Sequence, residues 1–278
     1  MALYFTSINS GSNGNCYYIG NSTEAVLVDV GISCKEVEKR ITRLGLSMNI
    51  IKAIFISHEH SDHIKGLSVL SKKYNLPVYI TTNTLKSSRL ILNEQNVYTF
   101  NHLDTIRIGD LKISAFSKFH DAADPYSFTV EYKQVRVGVF TDIGSVCDRL
   151  ITQFKQCHAA FLESNYDAQM LQNGNYPYHL KRRITSGKGH LSNHEALALF
   201  QNHKPAYMSH LLLSHLSKDN NDPVLVENLF KAVAGKTFVS VASRYEESPV
   251  HYISAEINPA EVYNFNPLLY QPAQLNLF

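Results

Sequence analysis

The stretch FISHEHSDHIKG, residues 55–66, places His58, His60, Asp62 and His63 within six positions, directly behind an apolar run. Imidazoles and a carboxylate crowded together lose solvation when buried and repel one another when charged alike, so a cation is the natural compensation. Other apolar runs also end in ligand-type residues: His120 after LKISAFSKF, Asp142 after VRVGVFT and His215 after YMSHLLLS. One tetrahedral zinc takes three or four ligands. Seven donors with a carboxylate able to bridge suit two divalent ions about 3.5–4 Å apart. On an extended segment residues i and i+2 point the same way, so His58 and His60 can grip one ion, while Asp62 and His63, past the turn, can face a second. Asp29, closing EAVLVDV, is placed to accept from an imidazole and fix its tautomer. The donor set accepts zinc, manganese, iron or nickel alike. His102, His203 and His251 stand alone and read as ordinary satisfied polar groups.

These side chains need elements to carry them. LYFTSI, NCYYIG and EAVLVDV, separated by SGSNGN and GNST, read as an opening β-meander. Ser33 with Glu36 three positions on predicts a capping box, and Val37, Ile41 and Leu44 predict a helix ending at Gly45. IKAIFIS predicts a strand, 64–74 a helix, 77–80 a strand and 84–92 a helix; TIRIG, LKISAFS, YSFTVEY and VRVGVFT predict further strands. Helix and strand then alternate from 144 to 242. The pattern predicts one α/β domain of two packed sheets with helices outside, spanning 1–257, and an extended tail over 258–278 that contains Pro259, Pro267 and Pro272.

Composition bounds the rest. The chain has 278 residues, 44% of them hydrophobic, enough for a sizeable core. No run of about 18 apolar residues occurs, so no membrane span is expected, and the first residues carry no secretory signal pattern. Cys16, Cys34, Cys147 and Cys157 form no CxxC, which suits reduced thiols in a cytoplasm, with Cys16 and Cys157 as small core residues in strands. A net charge of +2 excludes a polycation, so nucleic-acid affinity must come from a local patch.

HEHSDH followed by His120, Asp142 and His215 resembles the metallo-β-lactamase fold, an αββα four-layer sandwich with a dinuclear site, from Ser10 to about Ala242. The resemblance implies that His58, His60 and His120 bind one metal, that Asp62, His63 and His215 bind the other, and that Asp142 bridges them. The fold alone does not choose a substrate. GHLS at 189–192 and HLS at 215–217, with Glu163 after HAAFL, resemble the late motifs of the tRNase Z and RNase J nucleases. A Glu163–His190 pair can pass a proton to a leaving alkoxide, so catalytic roles fall to Asp62, Glu163 and His190. Lys181, Arg182, Arg183 and Lys188 form a cation patch along which a phosphate backbone could run. Asn13 and Asn15 sit in a polar loop able to approach phosphate.

SGSNGNCYYIG, DVGIS, ISHEHSDHIKG, FHDAADPYSF, TDIG, LESNYD and GHLSN are similar to the YycJ/WalJ-type proteins, which implies a 5′ to 3′ DNA exonuclease linked to mismatch repair. The segment 143–189 is already filled by a strand and helices, leaving no room for the second domain that RNase J-type enzymes insert. No tRNA-gripping arm is evident between His63 and His120, and His179 has no assigned role. The last residues, QLNLF, resemble the peptide that docks on the bacterial DNA-polymerase sliding clamp. Gln274 would bond at a pocket mouth while Leu275, Leu277 and Phe278 fill it. The alternatives are an RNA-processing nuclease of the same fold, a clamp-bound adaptor with structural metals, and, less well supported by the residues, a hydrolase of small esters or lactams.

Overall fold

The computed structural model describes residues 2–254. Six strands come first: β1 (Ala2–Asn9), β2 (Cys16–Gly20), β3 (Ala25–Val28), β4 (Ile51–Phe55), β5 (Val78–Tyr79) and β6 (Val97–Tyr98). Seven more follow: β7 (Thr105–Ile108), β8 (Leu111–Ser117), β9 (Tyr126–Tyr132), β10 (Val135–Phe140), β11 (Ala159–Glu163), β12 (His210–Ser214) and β13 (Phe238–Val241). The last, β14 (His251–Ser254), returns to pair with β1. The strands build two sheets, β14-β1-β2-β3-β4-β5-β6 and β13-β12-β11-β10-β9-β8-β7. Both are mixed. The meander β1–β3 is antiparallel, β3 to β6 run parallel, and β10 to β13 run parallel beside the antiparallel β7–β10.

Apolar residues on alternate strand positions fill the space between the sheets: Phe5, Tyr17, Val28 and Phe55 from one, Phe128, Val137, Phe161 and Leu212 from the other. The outer face of the first sheet is covered by α1 (Cys34–Arg43) and α3 (Leu67–Tyr74), with α2 (Ser61–Ile64) and α4 (Thr82–Ser88) beside them. On the second sheet lie α5 (Asp148–Phe154), α8 (Asn193–His203) and α9 (Pro223–Lys231), with α6 (Ala168–Asn173) and α7 (Tyr178–Ile184) at its rim. The result is the expected four-layer αββα sandwich.

Several local expectations change. The helix expected over 64–74 is two helices, because α2 starts at Ser61 and the chain breaks at Lys65–Gly66 before α3. A Cβ at Gly66 would meet the Ile32 carbonyl at 2.0 Å, so the break is where two backbones press together. The helix expected over 84–92 runs from Thr82 to Ser88, capped by Thr81 and ended by Arg89 in the left-handed conformation. Ser33 does cap α1, but Glu36 spends its side chain on Lys39 and Arg40 rather than completing a box. Cys157 is buried as expected, but in the turn after α5 rather than in a strand. All four cysteines are free.

Away from any ligand cluster, where the edges of the two sheets meet, His210 packs edge-on against Phe5 and lies 5.2 Å from the His251 ring. Burial, then the neighbouring His251, pushes His210 down to about 3, and burial pushes His251 to about 4. Both are therefore neutral in the folded chain from pH 6.5 down to these values, while the unfolded chain takes up their protons below about 6.5. Stability from this pair is complete above pH 6.5 and is lost as pH falls toward 4 and 3. His210→Phe should therefore lose about 1–2 kcal/mol less stability than the wild type between pH 6.5 and 5 in urea unfolding; parallel acid legs for the two proteins would refute it.

Candidate metal centre

The C-terminal ends of β3, β4, β8, β10, β11 and β12 open on one edge of the sandwich, and each delivers a polar side chain there. Three of these residues, Asp29, Asp142 and His215, have φ of 63°, 54° and 57°. The left-handed conformation costs a non-glycine residue roughly 1–2 kcal/mol; it turns each chain sharply out of its strand and aims the side chain back over the sheet edge.

The seven expected ligands converge. Donor atoms of His58, His60 and His120 lie within 4.8 Å of one another, as do those of Asp62, His63 and His215, and those of His58, His63 and Asp142. His58 Nε2 is 3.0 Å from His60 Nδ1. Asp142 Oδ2 stands 3.2 Å from His63 Nε2, while its Oδ1 stands 3.5 Å from His215 Nε2 and 3.8 Å from His120 Nε2. That puts Asp142 between the two groups, as a bridging carboxylate requires.

A second ring of contacts aims these donors. Asp29 takes Ser57 N and Ser57 Oγ at 2.8 Å each and accepts from His63 Nδ1 at 2.7 Å, the tautomer-fixing role expected of it. His120 donates from Nδ1 to the Gly189 carbonyl at 3.0 Å, and His215 donates from Nδ1 to Glu163 at 2.9 Å. Each ring thereby turns Nε2 inward. His120 Nε2, His215 Nε2 and Asp142 Oδ2 are buried without a hydrogen-bond partner. Buried acceptors left in this state are strongly unfavourable unless a cation takes them, and imidazole nitrogens with carboxylate oxygens are a fitting donor set for first-row divalent ions.

The electrostatics agree. Asp29, Asp142 and Glu163 are all buried, and Asp62 is mostly so. Burial pushes the Asp142 carboxyl up, yet the charges of His215 and His63 hold it well below the usual carboxylate range. Burial likewise pushes His215 down, but Asp142, Asp62 and Glu163 raise it to about 10. The centre is a negative pocket that draws in positive charge.

Glu163 and His190 also come together. Glu163 Oε1 accepts from His190 Nδ1 at 2.8 Å, and the carboxylate further takes the backbone N–H groups of Asp142, Ile143 and Leu191 at 3.2, 2.7 and 3.1 Å. Burial pushes Glu163 up, but the charge of His190 and the bonds from His190 and His215 hold it down at about 2. His190 borders a cavity of about 400 Å3 together with Asp62, Asp142, His215 and Arg183.

The remaining expected residues are placed differently from one another. Asn15 is buried, with Nδ2 3.3 Å from Asp62 Oδ2 and 3.1 Å from His63 Nε2, so it braces the ligand loop instead of lying open to solvent. Asn13 is exposed and donates to the Arg244 carbonyl at 2.6 Å. Arg183 lines the cavity and pairs with Asp121, whereas Arg182 lies over the Tyr178 ring and lines a neighbouring cavity. Lys181 donates to the Gln172 carbonyl at 2.7 Å, and Lys188 and His179 are exposed. Gln274, Leu275, Leu277 and Phe278 lie outside the described residues.

Two positioning residues were not singled out from the sequence. Lys118 is buried, donates to the Thr141 carbonyl at 2.7 Å and so anchors the turn that carries Asp142; a lysine two positions before His120, directly behind an apolar strand, was the available signal. Asn165 donates to the His215 carbonyl at 2.7 Å and supports its left-handed turn. The ring of second contacts is open to direct test. Asp29→Asn, which weakens the hold on His63 Nδ1, should reduce affinity for zinc or manganese about 10–100-fold in chelator competition; an affinity within twofold of wild type would sink the assigned role.

Comparison with known proteins places this geometry in context. The profile of the beta-lactamase superfamily domain matches residues 24–215. Among curated proteins, the chain is 37% identical to exodeoxyribonuclease YycJ of Bacillus anthracis over 224 residues, covering 80% of this chain and 85% of that protein. It is 32% identical to exodeoxyribonuclease WalJ of Streptococcus pneumoniae, covering 78% and 82%. Among solved structures, the metallo-beta-lactamase fold protein YhfI from Bacillus subtilis superposes with a TM-score of 0.70 at 18% identity, covering 90% of this chain and 99% of that one, a likeness of fold. Profile, relatives and layered architecture agree, and the chain belongs to the metallo-β-lactamase superfamily, in the group that contains the YycJ and WalJ proteins.

Proposed function

We propose that this chain is a dinuclear metal-dependent phosphodiesterase, a DNA exonuclease. The observation that carries the reading is the Glu163–His190 pair set against the ligand cluster, with His190 Nδ1 held at 2.8 Å and its ring lining the cavity. When bound, divalent ions would supply Lewis-acid activation of water and offset charge developing on a phosphoryl group. His58, His60 and His120 would hold one, Asp62, His63 and His215 the other, with Asp142 shared. His190 keeps Nε2, on the far side of its ring from Glu163, for a proton directed at the leaving oxygen. Glu163 fixes that ring through the bond from Nδ1. Arg183, paired with Asp121, stands at the cavity wall.

The names of the relatives support DNA as the substrate. Polarity from the 5′ end and a place in replication-coupled mismatch repair rest on the resemblance to the YycJ/WalJ type, and docking of QLNLF on the sliding clamp rests on its motif alone. No described helix is long and apolar enough to cross a membrane; free thiols suit the cytoplasmic setting proposed here.

A digestion series on 5′- and 3′-labelled DNA and RNA, with zinc, manganese, iron or nickel restored, tests the reading. DNA should shorten from the 5′ end and outpace RNA. His190→Ala should cut at least about 100-fold more slowly with metal content unchanged, and Asp142→Ala should lose both metal and cutting. Wild-type rates in either variant would favour an adaptor with structural metals; faster RNA decay would favour an RNA-processing enzyme. Removing residues 274–278 should abolish clamp binding in a pull-down against the purified clamp, and unchanged affinity refutes that docking.

A further inference from the structure

Beside the metal centre, α6, α7 and the start of α8 wall a cavity of about 570 Å3. Its lining includes Tyr166, Leu171, Tyr176, Tyr178, Lys181 and Arg182. Tyr176 lines this cavity and the metal-centre cavity alike, so the two lie side by side. We propose that this groove holds the single-stranded DNA flanking the bond to be cut, an inference that rests on the phosphodiesterase reading and adds a binding subsite to it.

Three observations converge on a nucleic-acid strand as the occupant. The first is aromatic surface without burial. Tyr178 is 74% exposed although it heads α7, and Arg182 lies 5.8 Å over its ring, leaving a flat cationic platform of the kind on which nucleobases stack. The second is charge. Lys181 and Arg182 line the groove, while Arg183, the next residue of the same helix, lines the metal-centre cavity and is paired there with Asp121. Lys181 bonds only a neutral carbonyl, so its charge is uncompensated by that contact. The acidic residue in the lining, Glu195, is engaged in the capping box of α8, where its carboxylate accepts from Ser192 N at 2.9 Å and Ser192 Oγ at 2.7 Å. The third is adjacency: a polymer whose scissile phosphate sits at Asp142 and His190 must leave the centre by some path, and the groove on the other side of Tyr176 offers one lined by basic and aromatic side chains. A small ester or lactam would have no use for this extension.

Tyr178 and Arg182 are exposed, so replacing both leaves the core intact. Binding of a fluorescein-labelled single-stranded DNA oligonucleotide, followed by anisotropy, should weaken at least about tenfold in Tyr178→Ala/Arg182→Ala. The KM for that oligonucleotide should rise in parallel, and kcat/KM for bis(4-nitrophenyl) phosphate, which has no flanking strand, should stay within twofold of wild type. Unchanged oligonucleotide affinity overturns the groove and leaves the nuclease reading standing. An equal loss on the small diester also overturns it, because the substitutions would then have disturbed the centre itself. If the metal-restored wild type cuts neither substrate yet the variant still loses oligonucleotide binding, the groove stands and the phosphodiesterase reading fails.

Discussion

Glu163 is fully buried at the end of β11, and its carboxylate collects five donors: the Nδ1 atoms of His190 and His215 and the backbone N–H groups of Asp142, Ile143 and Leu191. Taking such a charge out of water costs several kcal/mol unless its oxygens are saturated. Saturating them here fixes, in one contact set, the turn after β10, the turn after β12 and the loop leading into α8. Those are the three places from which Asp142, His215 and His190 reach the centre. Asp29 does the same for the first sheet, through Ser57 and His63. The centre is thus braced by two buried carboxylates, one per sheet, that need not touch a metal themselves.

The sandwich supplies the stability that this arrangement consumes. Three left-handed non-glycine turns and a pocket of unpartnered acceptors are unfavourable by roughly 1–2 kcal/mol for each turn and more for the acceptors. Against that, each fully buried Phe, Leu or Val between the sheets contributes about 1.5–3 kcal/mol, and Phe5, Phe55, Phe128 and Phe161 are only part of that layer. Strain sits at the strand ends because regular pairing stops there and the backbone is free to turn.

Close backbone packing does similar work around the ligand loop. A Cβ at Gly31 would fall 1.7 Å from the Asp62 carbonyl oxygen, and Asn15 N donates to that same oxygen at 2.7 Å. The SGSNGN loop therefore acts as a clamp on the Asp62–His63 turn, and through Ser10 it also holds His215 N at 2.8 Å. Its polarity, which from the chain alone suggests an approach to a phosphate, is in large part absorbed by the protein's own backbone.

Much was readable beforehand for a definite reason. Ligand chemistry tolerates few residue types, so HEHSDH, His120, Asp142 and His215 announce themselves by identity, and strand alternation with turn residues announces two sheets. Helix breaks such as Lys65–Gly66 were not readable, because they arise from contact with Ile32, a partner distant in sequence. The residue types by themselves pointed to a metal donor set and to two packed sheets, while the αββα layer order and the Glu163–His190 pairing followed from the family resemblance. Only the tertiary structure decided that Asn15 braces rather than reaches outward, that Lys118 and Asn165 anchor the ligand turns, and that Arg182 and Arg183 face different cavities. Those outcomes depend on which backbone groups arrive opposite a side chain once both sheets have closed, and no local pattern encodes that meeting.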